Sequence, residues 1–400
     1  QHSLRTRQNK KKNPKTLKKK EKKMAILCTT TSPAEKEHEP KQDLEKDQTP
    51  LIFNPSLLNL QSQIPNQFIW PDEEKPSIDI PELNVPFIDL SSHDSTLEAP
   101  RVIAEAGTKH GFFLVVNHGV SESLISDAHR LMERFFDMPL AGKQKAQRKP
   151  GESCGYASSF TGRFSTKLPW KETLSFQFSN DKSGSRTVQD YFSDTLGQEF
   201  EQFGKVYQDY CEAMSSLSLK IMELLGLSLG VNRDYFRGFF EENDSIMRLN
   251  HYPLCQTPDL TLGTGPHCDP SSLTILHQDH VNGLQVFVDN QWQSIRPNPK
   301  AFVVNIGDTF MALSNGIFKS CLHRAVVNRE SARKSMAFFL CPKKDKVVKP
   351  PSDILEKMTA RKYPDFTWSM FLEFTQKHYR ADVNTLDSFS NWVITNKNPI

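Results

Sequence analysis

The chain has 400 residues, of which 37% are hydrophobic and 10% aromatic, and its formal net charge is +3. No apolar run reaches the roughly 18 to 20 residues of a membrane-spanning helix, so one or two packed domains without a membrane segment are expected. The seven cysteines are scattered and form no C-x-x-C pair, which favours reduced thiols in the cytoplasm over a disulfide framework.

The N-terminal segment is strongly basic. Residues 1–23 carry eleven Lys or Arg and one Glu, a net charge of +10 that leaves −7 for residues 24–400. Such a run is typical of a nucleic-acid-binding tail or a nuclear address. Because Met24 follows it directly, we instead expect an extension added upstream by translation or cloning, and no nucleic-acid partner. Residues 24–80 are predicted to form a flexible arm, whose apolar cluster at 51–60 docks on the body.

The region at 81–240 is predicted to combine short apolar strands with amphipathic helices. In the strongest helical pattern, apolar residues recur alternately four and three positions apart, which indicates a helix that faces the core. The predicted elements, in chain order, are a strand at 85–90, a helix around 97–109, a strand at 111–117, a helix that opens at Ser121 and the strong helix at 201–225.

From Met247 the hydrophobic period changes to that of short strands. Seven runs of strand composition are separated by Asn-Gly, Asp-Asn and proline-containing turns, which is typical of hairpins in a sandwich or barrel. We therefore predict an α+β chain. Its antiparallel β core at 241–345 follows the helices, and a helical tail at 346–400 completes it.

The run GPHCDPSS at residues 265–272 holds three potential metal ligands in succession. Side chains alternate between the faces of a strand, so His267 and Asp269 are expected to share a face while Cys268 points away. An imidazole and a carboxylate on one face form half of a two-histidine, one-carboxylate triad, the open-sided site of non-haem Fe(II) oxygenases. The pair alone is weak evidence, because a single histidine in a β-run is more often a packed or surface residue.

A third ligand must come from elsewhere in the strand region. His277 lies at the end of its strand and His280 in a turn, whereas His323 stands in a strand-like run more than fifty residues further on. Ten residues after it, Arg333 and Ser335 are expected to share a strand face and to offer a guanidinium and a hydroxyl. That pair suits the bidentate capture of a carboxylate. Each motif is common by itself, but their order and spacing together are specific.

With these motifs the chain resembles the Fe(II)- and 2-oxoglutarate-dependent dioxygenases of plants, over about residues 83–380. The matching runs are VPFIDL, HGFFLVVNHGV, NHYPLCQTP, HCDPSSLTILHQD, GLQVFVDNQW, FVVNIGD and LSNGIFKSCLHRAVVN. The resemblance implies a double-stranded β-helix (jelly roll) flanked by helices, with Fe(II) bound by His267, Asp269 and His323. It also implies O2 as co-substrate and ascorbate as reductant. The residues that it assigns to 2-oxoglutarate are Arg333, Ser335, Tyr252 and Asn250.

The segment LPWKET at 168–173 is similar to one characteristic of gibberellin 20-oxidases. The similarity implies successive oxidation and removal of carbon 20 of gibberellin precursors, GA12 to GA9 and GA53 to GA20, with a diterpenoid acid as substrate. Trp170 offers an apolar face for a fused-ring terpenoid, and Lys171 or Arg163 offers a cation for its carboxylate. The alternative is a surface turn with an ordinary packed tryptophan. The residues expected to bind substrate are Leu168, Pro169, Trp170, Lys171, Glu172 and Thr173.

The protein is expected to be a monomer, and three other functions remain open. A gibberellin 3- or 2-oxidase or a flavonoid dioxygenase would share the iron and 2-oxoglutarate residues and differ around 150–175 and in the tail. The five-residue constellation argues against a metal-free or zinc-binding jelly-roll protein, and the acidic body against a nucleic-acid-binding protein. Two positions depart from the family pattern. His251 replaces a common tyrosine and is expected to face away from the pocket, and Asn282 stands in the usual Gly-Gly turn.

Overall fold

The computed structural model describes residues 53–396 except for 59, 62, 78, 92–97, 150, 160–165, 182–186 and 379–383. The predicted extension at 1–23, the beginning of the arm and Arg163 therefore lie outside the described residues. The described residues all belong to one compact unit, Thr49–Ile400. Among their helices, none has both the length and the apolar character that a bilayer crossing requires.

In the described part of the chain, most of the long helices precede residue 243 and most of the strands follow it. The α-helices are α1 Pro55–Leu58, α2 Glu98–Lys109, α3 Glu122–Phe136, α4 Leu140–Lys143, α5 Thr187–Leu196, α6 Glu201–Ser228, α7 Arg233–Phe240, α8 Asp308–Leu313, α9 Ser352–Leu355, α10 Trp368–His378 and α11 Thr385–Asn396. Single 3-10 turns lie at Asn66–Phe68, Gln144–Ala146 and Gln198–Phe200.

Most of the strands are short, as the turn-rich sequence predicts, although three of them have eight to ten residues. They are β1 Phe87–Asp89, β2 Phe112–Val116, β3 Gly155–Ser158, β4 Glu172–Asn180, β5 Asn243–Tyr252, β6 Thr264–His267, β7 Leu273–Gln278, β8 Leu284–Val288, β9 Gln291–Ser294, β10 Phe302–Ile306, β11 His323–Ala325, β12 Arg333–Leu340, β13 Val347–Val348 and β14 Phe366–Thr367.

Two sheets form the β core. The larger has eight strands in the order β1-β2-β10-β7-β12-β5-β4-β3, and the smaller has four in the order β6-β11-β8-β9. Every neighbouring pair is antiparallel except β1 with β2. An apolar cluster from β2, β10 and β8 is buried between the sheets. The predicted fold, a jelly roll flanked by helices within an α+β chain, is confirmed.

Alternation along each strand gives the large sheet two different faces. On β5, Met247 and Leu249 are completely buried in the core that the sheet shares with the helices, while Asn250 points to the opposite side, as strand geometry requires. The long helix α6 is at the centre of that core through its buried residues, among them Tyr207 and Met214. The helix predicted at 201–225 is therefore present and extends slightly further.

Strand β4 is the longest strand that the sequence prediction lacks. It pairs with β5 along its whole length, from Glu172 opposite His251 to Asn180 opposite Asn243. Its sequence carries a clear period of two, with Leu174, Phe176 and Phe178 on one face and Thr173, Ser175 and Gln177 on the other. Helices α5 and α7 are also absent from the prediction. Conversely, the strand-like run around His323 is longer in the sequence than in the structure, where only the three residues of β11 form a strand.

The N-terminal arm is packed on the body where the structure describes it. Phe53 and Leu58 are buried in a cluster with Phe68 and Trp170. This part of the predicted apolar cluster is docked, as expected, whereas Leu51 and Ile52 lie outside the described residues.

The crossing of α5 over α6 provides a test of the packing. Gly204→Ala is expected to lower the free energy of unfolding by about 1–3 kcal/mol, because a Cβ there would lie 2.8 Å from the Cα of Gln189. Urea denaturation measures the change. As a control, Gly238→Ala on the exposed side of α7 meets nothing within 4 Å and is expected to stabilise the protein by about 0.5–1 kcal/mol. Equal stability of the Gly204→Ala variant and the wild type would contradict this packing.

Candidate metal centre and its cavity

Two histidines face each other across neighbouring strands of the small sheet. His267 is the last residue of β6, His323 is the first of β11, and the antiparallel register pairs them directly. Their ring centroids are 4.2 Å apart. Nδ1 of His267 lies 2.9 Å from the carbonyl oxygen of Gly265, and Nδ1 of His323 lies 3.2 Å from that of Cys321. These contacts assign the ring proton to Nδ1 in both residues and leave both Nε2 lone pairs available as ligands.

Asp269 completes the group. Its Oδ1 lies 3.6 Å from Nε2 of His267, and its Oδ2 lies 3.7 Å from Nε2 of His323. The potential ligand atoms of the three residues all lie within 4.8 Å of one another, a spacing that can hold a metal ion. Oδ2 also accepts hydrogen bonds from Thr274 at 2.7 Å and Asn305 at 2.9 Å. Because Thr274 and Asn305 are cross-strand partners on β7 and β10, the large sheet orients the carboxylate.

The surroundings favour the protonation states that metal ligands need. Burial lowers the pKa of His267, and the neighbouring His323 lowers it further. Burial alone would raise the pKa of Asp269, but His323, His267 and the two hydrogen bonds to its side chain outweigh that effect and lower it. A neutral imidazole and an ionised carboxylate result, and both are able to bind a metal ion.

Cys268 is turned away from the three ligand atoms, although not by strand geometry alone. β6 ends at His267, so Cys268 and Asp269 lie in the following turn. The backbone N–H of Asp308 holds this turn by donating to the carbonyl of Asp269 at 2.8 Å. Sγ of Cys268 lies 3.7 Å from the carbonyl oxygen of Ser320, and burial raises the pKa of its thiol. A protonated thiol is a poor metal ligand.

The two other histidines considered from the sequence lie apart from this centre. His277 is on β7, where its Nδ1 lies 2.7 Å from Nε2 of His129 and its Nε2 lies 3.1 Å from the carbonyl oxygen of Pro299. His280 lies in the exposed bend after β7. Of the three histidines considered as the further ligand, only His323 therefore lies beside His267.

Four polar side chains form a second cluster on the large sheet. β12 and β5 pair so that Arg333 lies opposite Tyr252 and Ser335 lies opposite Asn250. Cζ of Arg333 is 5.2 Å from the centre of the Tyr252 ring, and Asn250 donates a hydrogen bond to Ser335 at 3.3 Å. The four residues assigned to 2-oxoglutarate by resemblance are therefore neighbours in the structure.

The guanidinium of Arg333 is placed to receive an anion. It is 2% exposed and donates to Oε1 of Gln278 at 2.7 Å. Among the described residues, Nε of Arg333 and Nε2 of Gln278 have no hydrogen-bond partner. Buried donors without partners are costly, so a carboxylate here would satisfy them. Gly283 leaves room for this arginine, because a Cβ at that position would lie 2.7 Å from its Cδ.

Three supporting residues were not predicted from the sequence. They are Thr274 and Asn305 beside the carboxylate and Gln278 beside the guanidinium. Each is an uncharged polar residue within an apolar strand run, SLTILHQ or FVVNI. A polar residue in an apolar strand indicates a buried side chain that needs a hydrogen-bond partner, but the sequence does not show which residue that partner is.

Both clusters open into one cavity of about 1050 Å³. Its walls include the inner face of the large sheet, Trp70 of the N-terminal arm, and Leu372 and Thr375 of α10. Sites for small molecules typically measure about 300–1,000 Å³, so this cavity accommodates a substantial ligand beside the metal centre. Two imidazoles and one carboxylate bind a metal from one side only, which leaves positions on it open for ligands in the cavity.

The segment at 168–173 contributes to the cavity only in part. Pro169 and Lys171 line it. Trp170 is completely buried, with its ring edge-on to Phe53 at 5.1 Å and to Phe68 at 5.3 Å between centroids. The expectation that its face receives a fused-ring substrate is therefore wrong, and the packed-tryptophan alternative describes its position. The residues of this segment that do not line the cavity are Leu168, Trp170, Glu172 and Thr173.

Glu172 lies on the opposite side of the sheet from Lys171, at the centre of a buried polar cluster. One carboxylate oxygen accepts from Lys143 at 2.6 Å and from the Tyr156 hydroxyl at 2.5 Å, and the other lies 3.4 Å from Nδ1 of His251. Burial raises the pKa of Glu172, but these three partners outweigh it and lower the pKa. His251 therefore faces away from the cavity, as predicted, and Glu172 anchors β4 instead of lining the cavity.

Two protein-family profiles match the chain. Residues 243–342 match the 2OG-Fe(II) oxygenase superfamily, and residues 85–194 match the N-terminal region of non-haem dioxygenases in morphine synthesis. The first range contains the three potential metal ligands and the Arg333 cluster.

Characterised relatives are similar over almost the whole chain. Gibberellin 20 oxidase 2 of Arabidopsis thaliana is 97% identical over 94% of this chain and 100% of the relative. Gibberellin 20 oxidase 1 of the same plant is 75% identical over 92% of this chain and 99% of the relative. Gibberellin 20 oxidase 1-B of Triticum aestivum is 59% identical over 86% of this chain and 95% of the relative.

Solved structures share the fold. JOX2 in complex with 2OG, Fe and JA superposes with a TM-score of 0.73 at 32% identity and covers 85% of this chain and 98% of JOX2. A dioxygenase for auxin oxidation in rice superposes with a TM-score of 0.64 at 25% identity, over 76% of this chain and 99% of that protein.

The buried cluster around Glu172 yields a prediction about stability. Glu172→Ala is expected to lower the free energy of unfolding by about 3–5 kcal/mol, because Lys143 would remain buried without its counter-charge. Urea denaturation measures the loss. The matched control is Glu105→Ala, which removes the exposed partner of Arg101 on α2 and is expected to leave stability close to that of the wild type. Similar losses in both variants would contradict a special role of the buried cluster.

Proposed function

The chain belongs to the 2OG-Fe(II) oxygenase superfamily, and on that premise we propose that it acts as a gibberellin 20-oxidase. It is an Fe(II)- and 2-oxoglutarate-dependent dioxygenase that uses O2 and a small-molecule substrate. The observation that carries the proposal is the near-complete identity to a gibberellin 20 oxidase over that relative's full length. The substrate is accordingly a gibberellin precursor, a diterpenoid acid such as GA12 or GA53.

We propose His267, Asp269 and His323 as the Fe(II) ligands. The support is their spacing within 4.8 Å and the two free Nε2 lone pairs. A bound iron would supply the oxidising chemistry. In that chemistry O2 and 2-oxoglutarate are consumed, succinate and CO2 are released, and the substrate is oxidised. Thr274 and Asn305 hold the Asp269 carboxylate by hydrogen bonds, so that the ligand does not reorient between turnovers.

The cluster around Arg333 is the proposed site for 2-oxoglutarate. Arg333 and the Ser335 hydroxyl bind the carboxylate that is far from the metal, and Asn250 orients that hydroxyl. The Tyr252 ring covers one side of the guanidinium. Gln278 donates its unpaired amide N–H to the same carboxylate. The burial of Arg333 excludes water and thereby strengthens these contacts.

Successive oxidation of carbon 20 requires the cavity to hold a series of related substrates in one orientation. Carbon 20 of GA12 or GA53 is oxidised repeatedly, through alcohol and aldehyde, and is then removed to give GA9 or GA20. Each turnover consumes one 2-oxoglutarate. Because the cavity of about 1050 Å³ opens directly on the proposed ligands, one site serves every step.

Further features belong to the proposal. Ascorbate is the expected reductant that keeps iron in the ferrous state, and the enzyme is expected to be a monomer. A cytoplasmic location is supported by the cysteines in the described part of the chain, which are free thiols. The division into an N-terminal dioxygenase region at 81–240, a core at 241–345 and a helical tail at 346–400 is retained as a prediction.

The test of function is a product assay. Purified protein is incubated with Fe(II), ascorbate, 2-oxoglutarate and either GA12 or GA53, and the products are identified by mass spectrometry. Formation of GA9 or GA20, with stoichiometric succinate for each oxidation, is expected. Turnover of GA9 or of a flavanone, with neither GA12 nor GA53 oxidised, would assign the enzyme instead to the gibberellin 3- or 2-oxidases or to the flavonoid dioxygenases.

The metal ligands can be tested separately from Cys268. His267→Ala and Asp269→Ala are each expected to abolish iron-dependent turnover and to weaken Fe(II) binding at least ~100-fold, because a two-ligand site binds a divalent ion poorly. Calorimetric titration with metal measures the binding. Cys268→Ala is expected to retain most of the activity, since its sulfur faces Ser320. Loss of metal binding in Cys268→Ala alone would overturn the assignment.

The position of Arg333 can be tested through Gly283. Gly283→Ala is expected to raise the KM for 2-oxoglutarate about tenfold, because the added Cβ would lie 2.7 Å from Cδ of Arg333 and 2.8 Å from the carbonyl oxygen of Val326, and the arginine side chain would shift. Steady-state kinetics with varied 2-oxoglutarate measure the effect. Gly238→Ala, whose Cβ meets open space, is the control and is expected to show an unchanged KM. An unchanged KM in Gly283→Ala would show that Arg333 does not determine affinity for 2-oxoglutarate.

A further inference from the structure

The turn at 269–272 leads from β6 into β7 and carries Asp269, and one short segment of chain holds its backbone. That segment, at 307–309, lies where β10 leads into α8. Its three N–H groups donate to carbonyls of the turn, and the pairs are Asp308 with Asp269 at 2.8 Å, Gly307 with Ser272 at 3.1 Å and Thr309 with Ser271 at 3.2 Å. The remaining carbonyl, that of Pro270, accepts from the Thr309 hydroxyl at 2.7 Å. Every carbonyl of the turn is therefore bound.

Thr309 supplies two of these four hydrogen bonds, one from its backbone and one from its side chain. It is completely buried and is not part of the cavity wall, whereas three residues of the turn do line the cavity. No space separates the two segments, because a Cβ at Gly307 would collide with the carbonyl oxygen of Ser271 and lie 2.9 Å from that of Asp269. Thr309 therefore reaches the cavity only through the turn.

The same stretch of chain also holds the side chain of Asp269. Asn305, near the end of β10, donates to its Oδ2 at 2.9 Å. Oδ2 also accepts from Thr274 at 2.7 Å, and the hydroxyl of Thr274 lies 3.3 Å from that of Ser271 in the turn. Residues 305–309 thus hold the backbone of the turn and, through Asn305, the direction of the carboxylate.

We propose that Thr309 is a positioning residue, which fixes the turn at 269–272 so that Asp269 is held where the metal needs it. This inference rests on the proposed function, because it takes Asp269 as a ligand of the iron. Without the hydroxyl of Thr309, the carbonyl of Pro270 would lose its partner, and the turn would shift to find another. Part of the binding free energy of the metal would then be spent on ordering the turn, so the affinity for the metal would fall.

The role of Thr309 is tested by calorimetric titration of the full-length protein with Mn(II), a divalent probe that resists oxidation. Thr309→Val, which removes the hydroxyl and keeps the shape, is expected to weaken Mn(II) binding about tenfold. The loss is smaller than that expected for Asp269→Ala, because Thr274 and Asn305 still hold the carboxylate. Thr309→Ala is expected to give a similar loss, so the test does not depend on how valine packs. Thr309→Ser keeps the hydroxyl and is expected to bind Mn(II) within about two-fold of the wild type.

The matched control is Tyr207→Phe in the helical core. The Tyr207 hydroxyl also donates to a backbone carbonyl, that of Ala128, at 2.7 Å, and Tyr207 is completely buried. Tyr207→Phe and Thr309→Val each remove one such hydrogen bond, so both are expected to lower the melting temperature by similar amounts. Only Thr309→Val is expected to weaken Mn(II) binding, which separates positioning of the ligand from a general loss of stability.

The outcomes distinguish this role from the proposed function. Wild-type affinity for Mn(II) in Thr309→Val and Thr309→Ala would overturn the role, as would an equal loss in Thr309→Ser or in Tyr207→Phe. A wild-type protein that binds Mn(II) but oxidises neither GA12 nor GA53 would refute the proposed function and leave the role of Thr309 standing. A wild-type protein that does not bind Mn(II) would refute both.

Discussion

The pairing of β6 with β11 is the constraint on which the functional site depends. It places His267 directly opposite His323, although more than fifty residues separate them in the chain. Because side chains alternate along a strand, a shift of one residue in this register would turn one of the histidines to the other face of the sheet. The Nδ1 contacts with Gly265 and Cys321 then orient each ring, so the backbone sets both the position and the tautomer of these two proposed ligands.

Strand register in the large sheet likewise determines which side chains are neighbours in the rest of the cavity. Its registers bring Thr274 beside Asn305 and Arg333 beside Tyr252, which orients the carboxylate of Asp269, a proposed ligand, and forms the proposed anion pocket. Alternation at the start of β4 also places two neighbouring residues of the segment at 168–173 on opposite sides of the sheet. Lys171 points into the cavity, while Glu172 points to the helical side and is held there by buried partners. Neighbouring residues of one motif thus lie on opposite sides of the sheet, one at the cavity and one in a buried supporting cluster.

The sequence predicted the parts of this molecule that are local or follow a spacing rule. The helix around 201–225 follows from its apolar repeat, and the orientation of His251 follows from strand alternation. β4 was not predicted, although Leu174, Phe176 and Phe178 alternate with polar residues. Trp170 was assigned to the substrate wrongly, because a large aromatic side chain has the same sequence signature in a core as in a binding site.

By itself, the sequence determined the chemical types at the site: two histidines and an aspartate, an arginine with a serine two residues later, and a fold able to bring them together. It could do so because ligand chemistry and strand alternation depend on residue type and local spacing. Only the tertiary structure decided which distant residues become partners, such as Gln278 for Arg333, Ser175 for Arg248 and Lys143 for Glu172. These pairs join different strands and helices, and they depend on register and packing between elements, which no single stretch of sequence encodes.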